Sequence, residues 1–449
     1  MTSFNIAVVG SGISGLSASW LLAKNHRVTL FEAEARPGGH TNTVNMDIDG
    51  KSAPVDTGFI CYNEATYPNL IELLRTLDVP VSRTEMSFAA SMNGGAYEYA
   101  GGTWLGMVGQ PGNVFRAGHW RLINDIFRFF RTAGKTMDAI PDDETLGQYV
   151  AREGYSQEFC NRHLIPMAAA IWSSKTGDMM LYPARAFIRF FYNHGLLKMY
   201  GRPEWRSIIG GSKTYVDKLL ADAPINLRCN TPIVGIERLD TGVTLKTIDG
   251  TIEQFDQVVI ASHADQALTM LTDPDAVERS LLSKFSYSDN KAVLHRDRRY
   301  MPKRRLTWAS WNYMDWAKSH LQPANDEPET CVTYWMNKLQ KLPTKENIFV
   351  TLNPPKDADI QAVAASFDYS HPVFDIAALK AQRDIWEIQG QNRTWYCGAH
   401  FGSGFHEDGL QSGLAVAEQL GGMRRPWSVD NESGRIFISE NAGLREAAE

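Results

Sequence analysis

Three glycines and one carboxylate near the start of the chain are spaced for binding a pyrophosphate. The turn Gly10-Ser11-Gly12-Ile13-Ser14-Gly15 follows an apolar run at 4–9 and precedes leucines at helical spacing. In such a turn the first glycine permits a tight bend, the second lets backbone N–H groups approach a pyrophosphate, and the third allows close helix–strand packing. Glu32 stands 22 residues after Gly10, where a carboxylate accepts hydrogen bonds from an adenosine ribose. The pattern predicts a site for the ADP half of a cofactor.

A second candidate for chemistry is His406, which adjoins Glu407 and Asp408 just before the predicted C-terminal helix. An unperturbed histidine titrates near neutral pH, so this side chain could exchange protons with a substrate. A structural role, in which the ring hydrogen-bonds a loop, is equally compatible with the sequence. His163 and His194 are further candidates for a cavity wall, and each also fits a structural role.

The elements that must position these residues can be predicted from the hydrophobic pattern. Residues 4–9 and Val28–Phe31 are predicted as buried parallel strands, joined by a helix from Ser14 to about Lys24. Residues 114–200 are predicted to be largely helical, and residues 205–262 return to αβ character. Later strands are predicted at Lys291–His295, Leu306–Trp311, Cys331–Asn337, Ile348–Leu352 and Thr394–Gly398, followed by a helix from Gly409 to Leu420.

Length and composition bound the class of protein. A chain of 449 residues exceeds one ordinary core, so we expect two domains. The formal net charge of −6 argues against nucleic-acid binding, which needs a basic surface. The five cysteines are far apart and form no cluster with histidine, which predicts free thiols and no metal site. A strand begins almost at Met1 and no apolar stretch approaches the roughly 20 residues of a membrane span, so we expect a cytoplasmic protein, with peripheral membrane contact left open.

The segment after Glu32 separates FAD from NAD, which share the pyrophosphate-binding turn. It reads Glu32-Ala33-Glu34-Ala35-Arg36-Pro37-Gly38-Gly39-His40-Thr41 and resembles the Glu-x-x-x-Arg-x-Gly-Gly-[Arg/His] extension of the flavin-containing amine oxidase superfamily. That superfamily includes amine oxidases, carotenoid desaturases and a fatty-acid isomerase, and its second glycine pair lets the backbone pass close to the FAD phosphates. The resemblance therefore implies FAD as the cofactor, with contacts from Ala33, Arg36, Gly38, Gly39, His40 and Thr41.

Two other segments support the same resemblance. Val55-Asp56-Thr57-Gly58-Phe59 resembles an Asp-x-Gly element near the flavin ring, and Thr394–Gly413 resembles the closing motif, whose strand, loop and helix bring backbone N–H groups to the ribityl chain and the flavin. The acidic residue that the family places after the strand glycine is Ala399 here, and Asp408 is a candidate to replace its contacts. The resemblance implies that the following residues bind FAD, with Val234 against the adenine: Thr57, Gly58, Phe59, Val234, Gly398, Glu407, Asp408, Gly409 and Leu410.

The resemblance also suggests catalytic groups. In amine oxidases a lysine in a substrate-domain strand is bridged by water to flavin N5, and Lys291 falls in the comparable strand. The alternative for Lys291 is an exposed side chain at a strand start. Amine oxidases frame their amine with two aromatic rings, and Phe405 is a candidate for one of them. Cys397 lies within a strand, whereas the cysteine that tethers FAD in some amine oxidases lies upstream of it, so we expect non-covalent FAD.

A finer resemblance concerns the substrate. Runs such as Asp56–Ile60 and Gly404–Leu410 are similar to a bacterial subgroup of FAD-binding proteins whose genes often lie beside those of cyclopropane-fatty-acid synthases. This implies an FAD-dependent oxidoreductase that oxidises, desaturates or isomerises an unsaturated or modified fatty-acyl chain, with a lipid-modifying enzyme as a candidate partner. Two alternatives stay open: an amine oxidase that releases hydrogen peroxide, and a non-catalytic FAD-binding partner of a lipid-modifying enzyme. The basic cluster Arg299–Arg305 is either a site for a lipid headgroup or acyl carboxylate, or a solvated hairpin.

The fold implied by the resemblance is α/β, with a Rossmann-like FAD-binding domain and a discontinuous, mixed α+β substrate domain of the amine-oxidase type. The FAD-binding domain is predicted from residues 1–80, 205–270 and 390–425, and the substrate domain from 81–204 and 271–389. The remaining tail, 426–449, is predicted to be polar and to contribute little to the core.

Overall fold

The computed structural model describes residues 3–48, 50–172, 176–198, 201–316, 331–355 and 359–439. The strands in these residues are β1 (Asn5–Val9), β2 (Arg27–Phe31), β3 (Thr43–Ile48), β4 (Lys51–Asp56), β5 (Tyr62–Asn63), β6 (Val81–Thr84), β7 (Phe88–Met92), β8 (Tyr97–Ala100), β9 (Trp205–Ile208), β10 (Ile225–Arg228), β11 (Ile233–Leu239), β12 (Gly242–Thr247), β13 (Ile252–Phe255), β14 (Gln257–Ile260), β15 (Ser286–His295), β16 (Trp311–Met314), β17 (Cys331–Trp335), β18 (Phe349–Leu352), β19 (Val363–Val373) and β20 (Thr394–Tyr396).

The helices are distributed between these strands, and a π-helical turn at Cys160–Leu164 joins the sixth to the seventh. In chain order the α-helices of the described residues are α1 (Ile13–Leu22), α2 (Pro68–Thr76), α3 (Trp104–Val108), α4 (Ala117–Thr136), α5 (Leu146–Arg152), α6 (Gln157–Phe159), α7 (Ile165–Trp172), α8 (Thr176–Leu181), α9 (Ala184–Asn193), α10 (Lys213–Asp222), α11 (Ala264–Met270), α12 (Ala276–Leu282), α13 (Met336–Leu339), α14 (Ile376–Asp384) and α15 (His406–Gln419). None of these helices is long and apolar enough to cross a membrane.

A five-stranded parallel sheet, in the order β10-β2-β1-β14-β20, holds the N-terminal turn. Its central strand, β1, is an apolar run because both faces are covered. In register, Val9 pairs with Phe31 on one side and Ile260 on the other, so three strands end at the same edge. Ligands of open α/β sheets bind at this carboxyl edge, and Gly10 follows β1 directly there.

A seven-stranded sheet, in the order β19-β15-β18-β17-β16-β7-β8, forms the second large layer. Its neighbours are antiparallel except for β16 and β7, and side chains alternate between its faces. One face carries Ala292, Leu294 and Leu352, which pack with Val55 of the β3–β4 hairpin. This face is therefore turned toward the β3–β4 hairpin.

The helical region between β8 and β9 packs through an apolar stripe on α4. Leu122, Ile126, Phe129 and Ala133 recur every three or four residues and are buried, as helical periodicity requires. Phe129 makes an edge contact with Phe191 of α9 at 6.2 Å between ring centroids. The predicted helical character of residues 114–200 agrees with these elements in the described residues, and 173–175 and 199–200 lie outside them.

Two sequence-based predictions are corrected here. Residues 306–311 are not one strand, because a 3-10 turn at Arg305–Thr307 precedes β16, and the Thr307 hydroxyl donates to the Arg304 carbonyl at 2.8 Å. The described part of the predicted polar tail, 426–439, packs onto the core. Trp427 stacks on Trp20 at 5.9 Å and donates to the Asn69 side chain at 3.0 Å.

Candidate functional site

The predicted pyrophosphate-binding turn lies between β1 and α1. Gly10 has φ = +101°, and a Cβ there would lie 2.9 Å from the carbonyl oxygen of Ala261. A Cβ at Gly15 would overlap the carbonyl oxygen of Gly10, so helix and turn pack too closely for a side chain. Gly12 differs from both, since its φ is −63° and a Cβ there would meet no atom within 4 Å. The open space at Gly12, beside the N-terminus of α1, fits a bound pyrophosphate.

Glu32 ends its strand beside this turn, and the turn holds its carboxylate in place. The carboxylate accepts hydrogen bonds from the Ser11 backbone N–H at 3.0 Å, from the Ser11 hydroxyl and from the Glu34 N–H at 2.9 Å. An ionised carboxylate has about four lone-pair sites, so capacity remains for a ribose hydroxyl. The next residue, Ala33, is exposed, which leaves its backbone accessible.

The second glycine pair packs directly against the first turn. The Gly38 N–H donates to the Ser11 carbonyl at 3.0 Å, and a Cβ at Gly39 would lie 3.2 Å from the Cα of Gly12. Arg36 donates from Nη1 to the Gly39 carbonyl at 2.9 Å and pairs with Glu34 at 3.3 Å. The structure therefore brings the two predicted glycine loops into one cradle, with a guanidinium beside it.

The Thr57–Phe59 segment is fastened to the end of this second loop. The Phe59 N–H donates to the His40 carbonyl at 2.8 Å, and a Cβ at Gly58 would overlap that same oxygen. The Thr57 hydroxyl lies 2.9 Å from the Tyr369 hydroxyl. The three predicted residues Thr57, Gly58 and Phe59 thus line the continuation of the cradle toward the seven-stranded sheet.

His40 marks the boundary between the cradle and that sheet. Its ring stacks on Tyr369 at 4.9 Å and meets His371 at 5.1 Å between centroids. Burial lowers the pKa of His40 well below its usual range and that of His371 to about 4, so both rings are neutral. Nε2 of His40 is buried and has no hydrogen-bond partner among the described residues, which fits a polar group of a bound ligand.

The closing helix α15 lies against α1, so that two helix N-termini face the same cleft. A Cβ at Gly409 would lie 2.9 Å from the side chain of Ile13, and a Cβ at Gly413 would overlap the carbonyl of Ser14. Gly398, at the end of the preceding strand, donates its N–H to the Ser412 hydroxyl at 3.0 Å. Converging N-termini favour negative charge in the space between them.

The side chains of Glu407 and Asp408 are not free for the predicted cofactor contacts, because both carboxylates are fully buried and already paired. Glu407 accepts hydrogen bonds from the Leu70 N–H at 3.0 Å and from both donors of Asn69. Asp408 forms a two-point ion pair with Arg435, with contacts of 2.6 and 3.1 Å. Both residues therefore fasten the closing helix to α2 and to the C-terminal segment.

The same correction applies to the backbone of the next residues. The N–H groups of Asp408 and Gly409 both donate to the Phe405 carbonyl, at 3.0 and 3.1 Å, and Leu410 is fully buried. Only the first residues of a helix have N–H groups without intrahelical partners. Any backbone contact to a cofactor from this helix is thus expected at His406 and Glu407, and of these two residues the sequence predicted Glu407 as a cofactor contact.

His406 occupies the cleft, but it does not titrate as predicted. Its ring stacks face to face on Phe59 at 3.8 Å, and Nε2 lies 2.8 Å from the Tyr215 hydroxyl, which in turn bonds Thr41 at 2.6 Å. Burial lowers the pKa of His406 to about 3, so the ring is neutral at physiological pH. The geometry gives His406 the role of holding Phe59 and Tyr215, and it does not support a charged acid here.

Lys291 is also placed differently from the prediction. Alternation along β15 puts Asn290 and Lys291 on opposite faces, and Asn290 shares its face with Tyr369 and bonds His371 at 3.0 Å. Lys291 is exposed on the other face, opposite Asp368 in register. The strand was assigned correctly, but its phase makes Asn290, rather than Lys291, the residue that faces the cleft.

Val234 lies where a β-bulge interrupts β11, since the register shifts between Ile233 and Gly235. Its side chain is 47% exposed although it is apolar and branched. A bulge leaves a residue outside the ladder and available for other contacts. Val234 is thus compatible with the predicted contact to an adenine.

An aromatic wall without charged side chains runs from the closing helix to a cavity of about 260 Å³ beside β6 and β9, and Arg83, Arg202 and Glu204 also line that cavity. His194, which lines that cavity, stacks on Phe190 at 3.8 Å, and Phe190 stacks on Phe405 at 4.7 Å with an angle of 22° between rings. Trp172 meets Phe190 at 4.7 Å. Burial lowers the pKa of His194 to about 3, so the wall carries no charge at neutral pH.

Sequence reasoning missed several residues of this site. Asn290, Tyr369 and His371 belong to long strands without a glycine signature, and only the two-residue spacing of Tyr369 and His371 indicates a shared face. Arg435 was missed because a lone arginine in a polar segment gives no sign of a buried partner.

Fold and site together define a dinucleotide-binding flavoprotein with a second region built on a seven-stranded sheet. The chain belongs to the flavin-containing amine oxidoreductase family, whose model matches residues 13–339. Members of this family use FAD, and the chain is an FAD-dependent oxidoreductase, as the sequence predicted. The cradle fits this cofactor, because Gly12 borders open space and His40 offers an unpartnered polar atom.

Solved structures of low sequence identity share the fold. A fatty acid isomerase from P. acnes has a TM-score of 0.65 at 15% identity, covering 93% of this chain and 98% of that one. Cyclohexylamine oxidase from Brevibacterium oxydans IH-35A has a TM-score of 0.67 at 14% identity, covering 93% and 100%. These matches confirm the predicted amine-oxidase type of α/β fold.

Among curated proteins, the chain matches a short stretch of several L-amino-acid oxidases. The identity with the Pseudechis australis protein is 50% over 46 residues, which is 10% of this chain and 9% of that protein. The Bungarus fasciatus protein is 49% identical over 47 residues. The matched stretch spans about a tenth of this chain and of each relative, so it does not identify the substrate of this protein.

Proposed function

We propose that this FAD-dependent oxidoreductase acts on an unsaturated or modified fatty-acyl chain. The observation that carries the proposal is the aromatic wall of Trp172, Phe190, His194 and Phe405, which is uncharged at neutral pH. An acyl chain loses hydration when it enters such a site and leaves no charged group unpaired. The finer resemblance to proteins encoded beside cyclopropane-fatty-acid synthases supports an acyl chain carried in a phospholipid, and a lipid-modifying enzyme as a partner.

FAD supplies a two-electron acceptor when it is bound. The protein's contribution is to hold the acyl chain against apolar rings and to keep water away. Neutral His40 and His371 add polar surface without charge. Oxidation or desaturation consumes an electron acceptor stoichiometrically, whereas double-bond isomerisation consumes none, so acceptor consumption distinguishes these reactions.

Amine oxidation is the second candidate, favoured by solved amine oxidases of similar fold such as the cyclohexylamine and putrescine oxidases. The rings of Phe405 and Phe190 argue against it, because they stack on each other at 4.7 Å. A stacked pair in contact leaves no space for an amine between its faces.

The test compares substrates for the holoenzyme and for two variants of the same wall residue. Phospholipids with unsaturated chains, free unsaturated fatty acids, cyclohexylamine and putrescine are each incubated with enzyme, and acyl products and peroxide are measured. Phe405→Leu keeps the wall apolar and is expected to retain acyl conversion, whereas Phe405→Asp adds a charge and is expected to abolish it with FAD still bound. Amine turnover by the wild type without acyl conversion would overturn the proposal.

A further inference from the structure

An exposed apolar surface lies on the helical region, away from the parallel sheet. Phe115 is 90% exposed, Leu105 68% and Trp104 66%, which is unusual for large apolar side chains of adjacent segments. We call the whole group the apolar surface, and it comprises Trp104, Leu105, Val114, Phe115, Trp120 and Leu306.

The members of the apolar surface belong to elements that contact one another. Helix α3 contacts both the 3-10 turn Pro111–Phe115 and the 3-10 turn Arg305–Thr307. Trp120, in the first turns of α4, donates its indole N–H to the Val114 carbonyl at 2.9 Å. The exposed side chains therefore form one surface rather than scattered positions.

Buried polar groups hold this surface in its outward orientation. Asn113 is fully buried and donates to the carbonyls of Val108 and Glu98, at 2.8 and 3.1 Å. Gln110 is buried and donates to the Ala96 carbonyl at 3.0 Å. A Cβ at Gly109, where φ is +69°, would overlap the Glu98 carbonyl. The segment thus places its amides inside and its large apolar side chains outside, which reverses the usual pattern.

Cations border the apolar surface. Arg116, Lys303 and Arg305 are exposed, and none of them forms an ion pair with another described residue. Other cations of the predicted basic cluster are neutralised, since Arg304 pairs with buried Glu98 at 2.9 Å. The local charge is therefore positive in a chain whose net charge is −6.

We propose that the apolar surface docks on an anionic lipid bilayer, with its aromatic and leucine side chains among the headgroups and the cations on lipid phosphates. Tryptophan and phenylalanine favour this interfacial layer, and lysine and arginine add attraction to anionic lipids. A second copy of the chain fits less well, because like charges would face each other across a symmetric contact. The docking does not depend on which substrate the cleft takes.

The test measures co-sedimentation of the holoenzyme with vesicles of phosphatidylcholine, with and without phosphatidylglycerol. The double variant Leu105→Ser/Phe115→Ser is expected to lose at least about tenfold in partitioning to anionic vesicles. The control Ile248→Ser/Ile252→Ser changes residues of the β12–β13 hairpin that are 69% and 64% exposed, and this variant is expected to bind like the wild type. Arg116→Gln and Lys303→Gln are expected to weaken binding about fivefold each at low salt, and to reduce its salt dependence.

Equal binding of the Leu105/Phe115 variant and the wild type, with FAD content and circular dichroism unchanged, would overturn the proposal. Sedimentation velocity without lipid supplies a second criterion. A wild type that dimerises through this surface and ignores vesicles would assign the surface to a second copy instead.

Discussion

Gly12 and Gly15 are three residues apart in the same turn, yet the structure gives them different reasons to be glycine. A Cβ at Gly12 meets no atom within 4 Å and its backbone suits any residue, whereas a Cβ at Gly15 overlaps the Gly10 carbonyl. Gly12→Ala should therefore leave the apoprotein as stable as the wild type, or more stable by about 0.4–1 kcal/mol through the unfolded state. Gly15→Ala should destabilise the apoprotein by about 1–3 kcal/mol, because helix and turn must move apart.

The same pair behaves differently toward FAD. At Gly12 the added methyl group lies in the space assigned to the pyrophosphate. The steric overlap should cost about 1–3 kcal/mol of binding free energy, which lowers the affinity for FAD roughly 10- to 100-fold. Deflavinated protein would be examined by urea unfolding for stability and by calorimetric titration with FAD for affinity. An apoprotein destabilised by Gly12→Ala, or FAD binding that Gly12→Ala leaves unchanged, would refute the assignment of that open space.

Three further predictions concern residues whose assigned roles changed. Arg435→Met leaves the buried Asp408 carboxylate unpaired and should lower the free energy of unfolding in urea by about 3–5 kcal/mol. Adding Asp408→Asn should restore much of this stability. Equal losses of stability in the single and double variants would contradict the pairing. The pKa of His406 in the folded protein, about 3, lies below its value in the unfolded chain, so this residue should lower the free energy of unfolding by at most about 2 kcal/mol as pH drops from 7 to 5. His406→Gln should reduce this loss. An unchanged pH dependence of unfolding in the variant would contradict the low pKa of His406. Lys291→Ala should leave the turnover number within about twofold of the wild type, whereas Asn290→Ala should lower it more than tenfold. Steady-state kinetics measures both effects. The opposite order of effects would show that the lysine faces the cleft.

The cofactor half of the fold could be predicted because its constraints are local. Gly10 needs a positive φ and Gly15 needs close packing, and both requirements restrict the residue type at a fixed distance from β1. The apolar runs of β1 and β2 identify buried parallel strands for the same reason. These features, together with the resemblance, led to the FAD-dependent oxidoreductase class, which the family match confirms.

The rest of the site depends on contacts between distant parts of the chain. Asp408 forms an ion pair with Arg435, and Glu407 accepts a hydrogen bond from Asn69. Neither pairing can be predicted from the local sequence. The phase of β15 decides whether Asn290 or Lys291 faces the cleft, and a shift of one residue reverses that choice. The low pKa of His406 follows from its burial. The sequence does not show this burial, because the acidic residues that follow His406 suggest a polar surface.

The central claim is that the uncharged wall directs this flavoenzyme to acyl chains rather than amines. The most direct measurement mixes oxidised holoenzyme anaerobically with an unsaturated phospholipid or with an amine, and follows visible flavin absorbance together with the acyl products. We expect the phospholipid either to bleach the flavin or to be recovered with a displaced double bond, and we expect the amine to do neither. The claim would be contradicted if the amine bleached the flavin, while the phospholipid left the flavin oxidised and was itself recovered unchanged.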